Sequence, residues 1–402
     1  MANSFSASFP EIWAREQQEI FYKENVGMKV ADMSFRWQMS RGDTLNRPYR
    51  STDSEVQTYT RWTAITIDDK TDTNEQLVIN KEFATWFYID DFDKIQNNYN
   101  AAANYWKDDW VYLSNQVDAD ILWEYGNATS TVDDGTVWGT AWNWIALATT
   151  NVLSVVSSAK KKLAKQNIPL NSLFWVISPE FEQILIEYWA WRDTPMWDTA
   201  NKEWKIMNFY DFDLYRSNQV AWSAVLALAT QPTANDTVTI AWQTFTFVAS
   251  IWTTAWNVLI WANVDATRGN LATLINAPAT TTATWVALTW QSLRRFKNKI
   301  SATNDDTANT LTVVYKGAWV LDVAEALTDG TDTWTATKEK QHNLFGKRGW
   351  VSVVMQRDAL PQIKQVPDKL WVNILNWVLY WVKTFADWAK KLVNVEIKAS
   401  TF

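Results

Sequence analysis

Apolar residues recur at steps of three or four along residues 92–121, and this period predicts one long helix. A helix from about Asp90 to Tyr125 would measure ~50 Å, since each residue adds about 1.5 Å. The apolar stripe consists of Phe92, Ile95, Tyr99, Ala102, Trp106, Trp110, Leu113, Val117 and Ile121. A coiled coil is the alternative, but the positions that flank the stripe lack complementary charges.

Residues 171–190 contain a short apolar run that leads directly into a helix start. Leu173–Ile177 is bounded by polar residues, which predicts a buried strand. Ser178 offers an N-cap hydroxyl, Pro179 suits the first helical position, and Glu180 lies near the positive helix end. The apolar residues that follow have helical spacing, so one helix face is expected to pack on the strand: Phe181, Ile184, Leu185 and Tyr188.

A second strand is predicted at Lys205–Tyr215, where the residues alternate between the two faces. One face would carry Phe209, Asp211 and Asp213, and the other Tyr210, Phe212 and Leu214. Arg216-Ser217-Asn218 would end this strand. Residues 171–220 therefore predict a strand, a helix and a second strand around one core.

A long two-stranded hairpin is predicted before the long helix. Val56–Ile67 and Gln76–Ile89 are rich in Thr, Val, Ile and aromatic residues, and the polar segment 68–73 separates them. Turn signals at 41–43 and 46–48 precede the first strand. An isolated hairpin is marginally stable in water, so it must pack on its own core or on a neighbouring subunit. An ordinary meander at a sheet edge is the alternative interpretation.

Two further helices are predicted. Residues 10–25 have an amphipathic pattern with Ile12, Trp13, Ile20 and Phe21 on one side. Thr150–Gln166 would turn Val152, Val155, Val156, Ala159 and Leu163 inward, and Pro169 would end it. Lysines near its end suit the negative helix terminus and are interpreted as a solvated helix end, not a nucleic-acid site: Lys160, Lys161, Lys162 and Lys165.

Residues 222–335 are rich in Thr, Ala and Asn and predict a small α+β domain inserted into a loop. Residues 237–240 and 244–248 form a predicted hairpin around 241–243, and Thr310–Tyr315 is a further predicted strand. A short helix is predicted at Asp265–Asn276, with Asp265 as its cap. A basic edge is interpreted as a subunit contact or plain surface: Arg294, Arg295, Lys297 and Lys299.

The C-terminal part of the chain predicts a closing antiparallel unit. Trp350–Met355, Leu370–Phe385 and Leu392–Lys398 have the composition of strands. The second and third are joined through Ala386-Asp387-Trp388.

The composition narrows the possible functions. The chain has 402 residues, 37 basic and 44 acidic side chains, and a formal charge of -7, so no strong nucleic-acid field is expected. It has no cysteine and one histidine, His342, which argues against disulfides, cysteine-based metal sites and Cys/His or Ser/His catalysis. No catalytic, cofactor or metal site is predicted. The longest apolar run, Leu370–Val382, falls short of the roughly 20 residues that cross a bilayer, and no signal peptide is evident. A soluble protein made in the cytoplasm is therefore expected.

Tryptophan is abnormally frequent and glycine abnormally rare, with 29 and 10 residues respectively. Several tryptophans occur where glycine is usual, as in the loop-like segment that contains Trp138, Trp142 and Trp144, and in small-residue turns at Trp242, Trp252 and Trp261. We hypothesise that most tryptophans represent UGA codons that the native genome reads as glycine. Trp13 and Trp334 look like authentic tryptophans. A truly tryptophan-rich protein is the alternative.

The order of strand, Ser-Pro-capped helix, loop, Tyr-x-Phe-x-Leu-Tyr strand and Ser-Asn resembles the central domain of tailed-bacteriophage major capsid proteins. Leu379–Lys383 is also similar to a family pattern of the type Leu-Tyr-Gly-Val-Lys, with Trp381 at the glycine position. This Hong Kong-phage-type coat fold is shared with herpesvirus shells. The resemblance covers nearly the whole chain as an order of elements.

The resemblance implies an α+β phage major capsid fold with a small α+β insertion domain, divided along the chain into six parts. These are an N-terminal arm (1–40), an E-loop hairpin (41–89), a spine helix with peripheral domain (90–126), a first part of the axial domain (127–221), the insertion (222–335) and a return to the axial and peripheral core (336–402).

The function implied is that of a structural protein and not an enzyme. Subunits would form hexamers and pentamers of an icosahedral virion shell around the DNA genome, assembled in the bacterial cytoplasm. The implied partners are a portal protein, packaged DNA in weak non-specific contact, and a separate scaffolding protein, because the hairpin begins within about forty residues of Met1. No cofactor or membrane is expected.

Three alternatives have other functions. A carbohydrate-binding or carbohydrate-active protein would use tryptophan platforms and a carboxylate pair, drawn from Asp90/Asp91, Asp108/Asp109 or Asp133/Asp134. Another phage structural component, such as a tail or decoration protein, would share only the inserted domain. A peripheral membrane protein would use Trp371, Trp377, Trp381 and Trp388, but lacks a basic face.

Overall fold

The structure is a computed structural model of the chain. It describes residues 25–36, 44–50, 56–65, 67, 70–91, 101–190, 208–209, 212–251, 254–282, 288–289, 293, 296–317, 321–335, 340–357, 362–367 and 369–398. Several predicted positions lie outside the described residues: 10–24 of the first helix, 92–100 of the long helix, 205–207 and 210–211 of the second strand, Trp252, Arg294 and Arg295.

The chain divides into two compact units, and each draws on separate stretches of sequence. Unit 1 consists of Met1–Glu24, Arg36–Val117 and Val354–Trp381. Unit 2 consists of Asn25–Phe35, Asp118–Val353 and Val382–Phe402. The C-terminal residues thus contribute to both units, as expected for a chain that leaves a domain and returns to it.

A two-stranded hairpin in unit 1 confirms the predicted type of element but corrects its position. Strands β1 (Thr44–Arg50) and β2 (Asp72–Val78) pair antiparallel, from Thr44 opposite Val78 to Arg50 opposite Asp72. The predicted first strand at 56–67 has no strand residue among those described and belongs to the loop that joins the two strands. Pro48, interpreted as a turn signal, lies inside β1, because both strands of a two-stranded sheet are edges and an edge tolerates proline.

The predicted second strand at 76–89 is in fact two strands. After β2, a separate strand β3 (Lys81–Asp90) pairs with β18 (Trp371–Lys383), from Asp90 opposite Trp371 to Lys81 opposite Tyr380. Strands β16 (Ser352–Arg357) and β17 (Gln362–Gln365) also pair with β18 and complete a four-stranded sheet. The strand-forming residues of 76–89 therefore serve two different sheets.

The long helix is confirmed over its described length. Helix α2 spans Ala101–Leu122 and continues as a 3-10 helix at Trp123–Asn127, whereas a four-residue helix α1 lies earlier, at Gly27–Val30. Leu113, Val117 and Ile121 of the predicted stripe are buried. Trp106 and Trp110 are 36% and 47% exposed, so the predicted stripe is wrong at these two positions in the single chain.

Unit 2 is built on a nine-stranded mixed sheet. Seven strands lie in the order β12-β13-β8-β15-β5-β7-β6, β19 pairs with β15, and β4 pairs with β19. The bounds are β4 Ser130–Val132, β5 Leu173–Ile177, β6 Asn208–Phe209, β7 Phe212–Arg216, β8 Trp222–Ala227, β12 Ile300–Asp305, β13 Thr310–Tyr315, β15 Lys340–Lys347 and β19 Leu392–Lys398. Strands β5 and β19 coincide with the predicted segments, and β5 is buried along its whole length.

Helices α3 (Val152–Lys165) and α4 (Pro179–Ala190) contribute to the core of this sheet. All five predicted inward residues of α3 are buried. The predicted cap of α4 is also present, because the backbone N–H of Phe181 donates to Ser178 Oγ at 3.3 Å. Phe345 lies at the centre of an aromatic cluster, with ring centroids 6.1 Å from Phe181 and 5.9 Å from Phe212.

A second core in unit 2 lies within residues 222–335. Strands β9 (Thr237–Ile240), β10 (Gln243–Val248), β11 (Asn257–Leu259) and β14 (Val323–Ala326) form a four-stranded sheet in the order β11-β10-β9-β14, with helix α5 (Val264–Asn276) against this core. The predicted hairpin, helix and strand are all present. The predicted cap is wrong: Asn263 caps α5 by accepting from Ala266 N at 2.8 Å, because Asp265 lies inside the first turn.

Arg268 of α5 is fully buried and ties this core together. Its guanidinium donates to Leu228 O at 2.6 Å, Asn304 Oδ1 at 2.5 Å and Asp265 Oδ1 at 2.6 Å, and lies 3.3 Å from Asp306. A buried charge is tolerated only when its hydrogen bonds are satisfied, and here each branch of the guanidinium has an acceptor.

We predict that Arg268→Met destabilises the protein by about 3 kcal/mol, because it leaves the buried carbonyl of Leu228 and the partly buried amide oxygen of Asn304 without this donor. Chemical denaturation of both proteins measures this difference. Arg348→Met is the matched control: Arg348 also binds an aspartate, Asp213, at 2.7 Å, but its side chain is 42% exposed, so a loss below about 1 kcal/mol is expected. Equal losses for the two variants would contradict this account of Arg268.

Candidate functional site

His342, the single histidine, lies in a buried polar network that joins three strands of unit 2. Its Nε2 is 2.8 Å from Ser223 Oγ on β8, and its Nδ1 is 3.2 Å from Asn394 Oδ1 on β19. The ring of Tyr125 stacks on the imidazole at a centroid distance of 3.9 Å. Since Asn394 Oδ1 accepts from Nδ1, the neutral ring accepts the Ser223 hydroxyl proton at Nε2.

Burial lowers the pKa of His342 to about 3, even though the bond to Asn394 acts to raise it. Lys340 also lowers this pKa, and its Nζ lies 2.8 Å from Glu396 Oε2. The hydrogen bond between Ser223 and His342 resembles that of a catalytic nucleophile and its base. The two residues are only 7% and 4% exposed, so they are not accessible to a substrate. Their role in this geometry is to hold β8, β15 and β19 together.

Of the three aspartate pairs proposed as sugar-cleaving groups, Asp133 and Asp134 have local structural roles. Asp133 caps the 3-10 helix Asp134–Val137 by accepting from Thr136 N at 3.1 Å, and it also accepts from Trp142 N at 2.7 Å. Burial acts to raise the pKa of Asp133, but these hydrogen bonds outweigh it and hold the pKa below its usual range. Asp134 accepts from Thr140 N at 2.9 Å, so both carboxylates of the pair stabilise one loop.

The lysines of α3 do not all behave as a solvated helix end. Lys161 is exposed, as predicted. Lys162 is partly buried, and its ammonium donates to the carbonyl oxygen of Thr131 on β4. Burial lowers the pKa of Lys162, while Asp133 acts to raise it. This lysine therefore joins α3 to the edge strand of the sheet.

The tryptophans proposed for membrane binding are in four different environments. In unit 1, Trp377 lies under the guanidinium of Arg357 at 3.9 Å, and Trp371 under the ammonium of Lys369 at 4.4 Å. Trp381 is only 9% exposed. In unit 2, Trp388 packs edge-on against Phe385 at 5.1 Å.

Within the described residues, no helix combines the length and apolarity needed to cross a bilayer. The same residues contain no group of three acidic or histidine side chains placed to hold a metal ion.

The most exposed apolar side chains of unit 1 lie in the loop between β1 and β2. We call residues 56–65 and 67 of this loop the hairpin tip. Val56, Ile65 and Ile67 are 98%, 74% and 87% exposed, and Tyr59 is 64% exposed. Several large apolar side chains are therefore exposed in the hairpin tip, and exposed apolar patches are candidate contact surfaces.

A second exposed surface of unit 1 is one face of the sheet formed by β3 and β18. Glu82, Ala84, Trp86 and Tyr88 alternate outward on β3, and Trp86 and Tyr88 are 73% and 71% exposed. Leu375 lies opposite Trp86 on β18. Antiparallel partners share a face, so Leu375 extends the apolar surface across the two strands.

Comparison with known proteins identifies the fold. No family model matches the chain, and no curated protein matches it in sequence. The solved structures that are similar over almost their whole length include the following three. One is from Mycobacterium phage Che8, with 14% identity and a TM-score of 0.56 over 97% of this chain and 98% of that one. Another is the capsid structure of cyanophage P-SCSP1u, with 10% identity and a TM-score of 0.53 over 100% and 96%. The third is the mature capsid of bacteriophage PhiM1, with 8% identity and a TM-score of 0.52 over 98% and 93%.

The chain therefore has the α+β fold of phage capsid proteins, as the resemblance in sequence implied. The similarity covers both chains nearly completely, so it describes the whole architecture and not one shared domain. Sequence reasoning missed the hairpin tip as an exposed apolar surface, because its Val, Thr and Ile content is equally typical of a strand.

The His342 network generates a prediction about pH. The unfolded chain binds a proton at His342 below about pH 6.5, whereas the folded chain does so only near pH 3. The free energy of unfolding therefore decreases as the pH falls through that interval. The loss amounts to about 1.4 kcal/mol per pH unit. We predict that His342→Gln is less stable than the parent at pH 7 but loses less stability between pH 6 and pH 4. Denaturation midpoints across that range measure both slopes, and parallel curves would show that His342 does not titrate in this way.

Proposed function

We propose that this protein is the major capsid protein of a tailed phage, whose copies assemble into the icosahedral shell that encloses the DNA genome. The observation that carries the proposal is the full-length similarity to capsid structures, from one end of each chain to the other. If the chain were instead a tail or decoration protein that shares only the inserted domain, its similarity to capsid structures would cover only part of the chain. Hexameric and pentameric rings are the assemblies that this proposal implies.

The hairpin supports a role in assembly. Strands β1 and β2 pair only with each other among the described strands. A hairpin of this kind is marginal by itself, and its tip presents Val56 and Ile65 to water. Packing the tip on a neighbouring copy would remove this apolar surface from water and would stabilise the paired strands.

The remaining partners follow from the same proposal. The shell would contact packaged DNA weakly and without sequence preference, because the chain carries a formal charge of -7. A portal protein and a separate scaffolding protein complete the expected set, with assembly in the cytoplasm of a bacterial host. The role is structural, and the six-part division of the chain proposed from the sequence remains part of this account.

The test is negative-stain electron microscopy of the purified protein, expressed with and without a scaffolding protein encoded beside it. Closed shells or rings of subunits are the expected result. A monodisperse monomer under both conditions, at concentrations where related coat proteins assemble, would contradict the proposal.

The hairpin tip provides a sharper prediction. Val56→Asp and Ile65→Asp should reduce the yield of shells by more than about tenfold, because each places an unpaired charge in an apolar contact between subunits. The unassembled chain should unfold within about 0.5 kcal/mol of the parent, since both side chains face water there. Val56→Thr and Ile65→Val serve as controls and should assemble. Normal shell yields from both aspartate variants would exclude the tip as a subunit contact.

A further inference from the structure

Five tryptophans among the described residues have a left-handed backbone, which is a conformation that large side chains strongly disfavour. The φ angles are 71° at Trp62, 84° at Trp138, 69° at Trp142, 63° at Trp242 and 75° at Trp256. Among the described non-glycine residues with positive φ, asparagine is the other recurrent type, and asparagine is known to tolerate this region. A bulky aromatic residue has no such tolerance, and only glycine adopts the conformation without a steric cost.

The turn between β9 and β10 shows the requirement most clearly. Ile240 pairs directly with Gln243, so Ala241 and Trp242 form a two-residue hairpin turn. Both have positive φ, at 49° and 63°, which defines the type I′ geometry. The second position of such turns is dominated by glycine, and Trp242 is 50% exposed there.

Two other positions correspond to known glycine sites. The backbone N–H of Thr63 donates to Thr60 O at 3.3 Å, so Trp62 is the third residue of a β-turn, where positive φ calls for glycine. Trp138 follows the 3-10 helix Asp134–Val137 as its left-handed C-cap, and its neighbour Gly139 donates to Asp134 O at 2.8 Å. Left-handed residues that end helices are usually glycine.

Packing does not offset the strain at the three most exposed positions, whereas Trp256 is partly buried against the second core of unit 2. Trp62 and Trp138 are 97% and 96% exposed, and Trp142 is 82% exposed. An indole in water gains almost none of the burial energy that would justify an unfavourable backbone. Gly349, at φ 74°, is the single described glycine in this region, so the turns of the chain otherwise lack the residue that they require.

We infer that residues 62, 138, 142, 242 and 256 are glycine in the natural protein, encoded by UGA and inserted by a host tRNA that carries glycine and reads this codon. The inference concerns these five positions and does not depend on the coat function. It extends the compositional hypothesis by assigning individual residues from their backbone conformation. The natural source must therefore be a cell whose translation apparatus supplies glycine at UGA, and expression in a cell that reads UGA as tryptophan would give a strained product.

Mass spectrometry of peptides from the naturally produced protein tests the assignment directly. Glycine at all five positions is expected, and tryptophan at any of the three most exposed ones, 62, 138 and 142, would overturn it. The masses of the peptides distinguish these residues whether or not the protein forms shells.

A stability measurement on the tryptophan-containing chain provides a second test. Trp242→Gly should raise the ratio of folded to unfolded protein about fivefold, because it removes a left-handed aromatic residue from the turn. Trp261→Gly is the matched control, with 52% exposure in the same unit and no positive φ. This control should leave the ratio unchanged or lower it, since glycine adds unfolded-state freedom there without relieving strain. An equal or smaller gain at 242 than at 261 would contradict the assignment.

Discussion

Strand β15 lies between strands from three distant parts of the chain, and their pairing with it is the constraint on which unit 2 depends. Along one edge it pairs with β19, and along the other with β8 at Lys340–Gln341 and with β5 at Leu344–Lys347. Gly346 is required in this strand, because a Cβ at that position would lie 2.4 Å from Lys391 O. The nine-stranded sheet is therefore continuous only when residues 340–347 lie between these partners.

This constraint also explains where the polar groups are buried. The buried polar groups lie on β15 and on its two partners β8 and β19. Hydrogen bonds join them in the order Ser223, His342, Asn394 and Glu396. Apolar residues alone would leave the register between these strands less sharply defined, whereas hydrogen bonds between fixed positions discriminate against a slip. Unit 1 differs, because its strands β1 and β2 pair only with each other among the described residues and its hairpin tip is exposed.

The sequence was informative wherever a local pattern decides the outcome. The buried run Leu173–Ile177, the cap at Ser178 and the inward face of α3 were all predicted, because each depends on spacing and side-chain chemistry within a few residues. The position of β1 was missed, since its strand partner is selected by register and Pro48 imitates a turn. The cap of α5 shifted from Asp265 to Asn263, which lies within the usual uncertainty of helix ends.

The candidate site was less accessible to sequence reasoning than the fold. The apolar surface at Val56 and Ile65 depends on what remains uncovered after folding, and composition cannot show that. The left-handed tryptophans are a similar case. The high tryptophan count of the sequence suggests that some of these residues stand for glycine, but only the backbone angles indicate which positions require it. Both features therefore become visible only when side-chain exposure and backbone angles in the folded chain are compared with those usual for each residue type.

The central claim is that copies of this chain form the shell of a phage, and cryo-electron microscopy of the native particle tests it most directly. The account predicts rings of subunits in the shell whose density fits both units of this chain, with the hairpin tip covered by a neighbouring copy. A shell built from a different polypeptide, with this chain absent or confined to the tail, would contradict it.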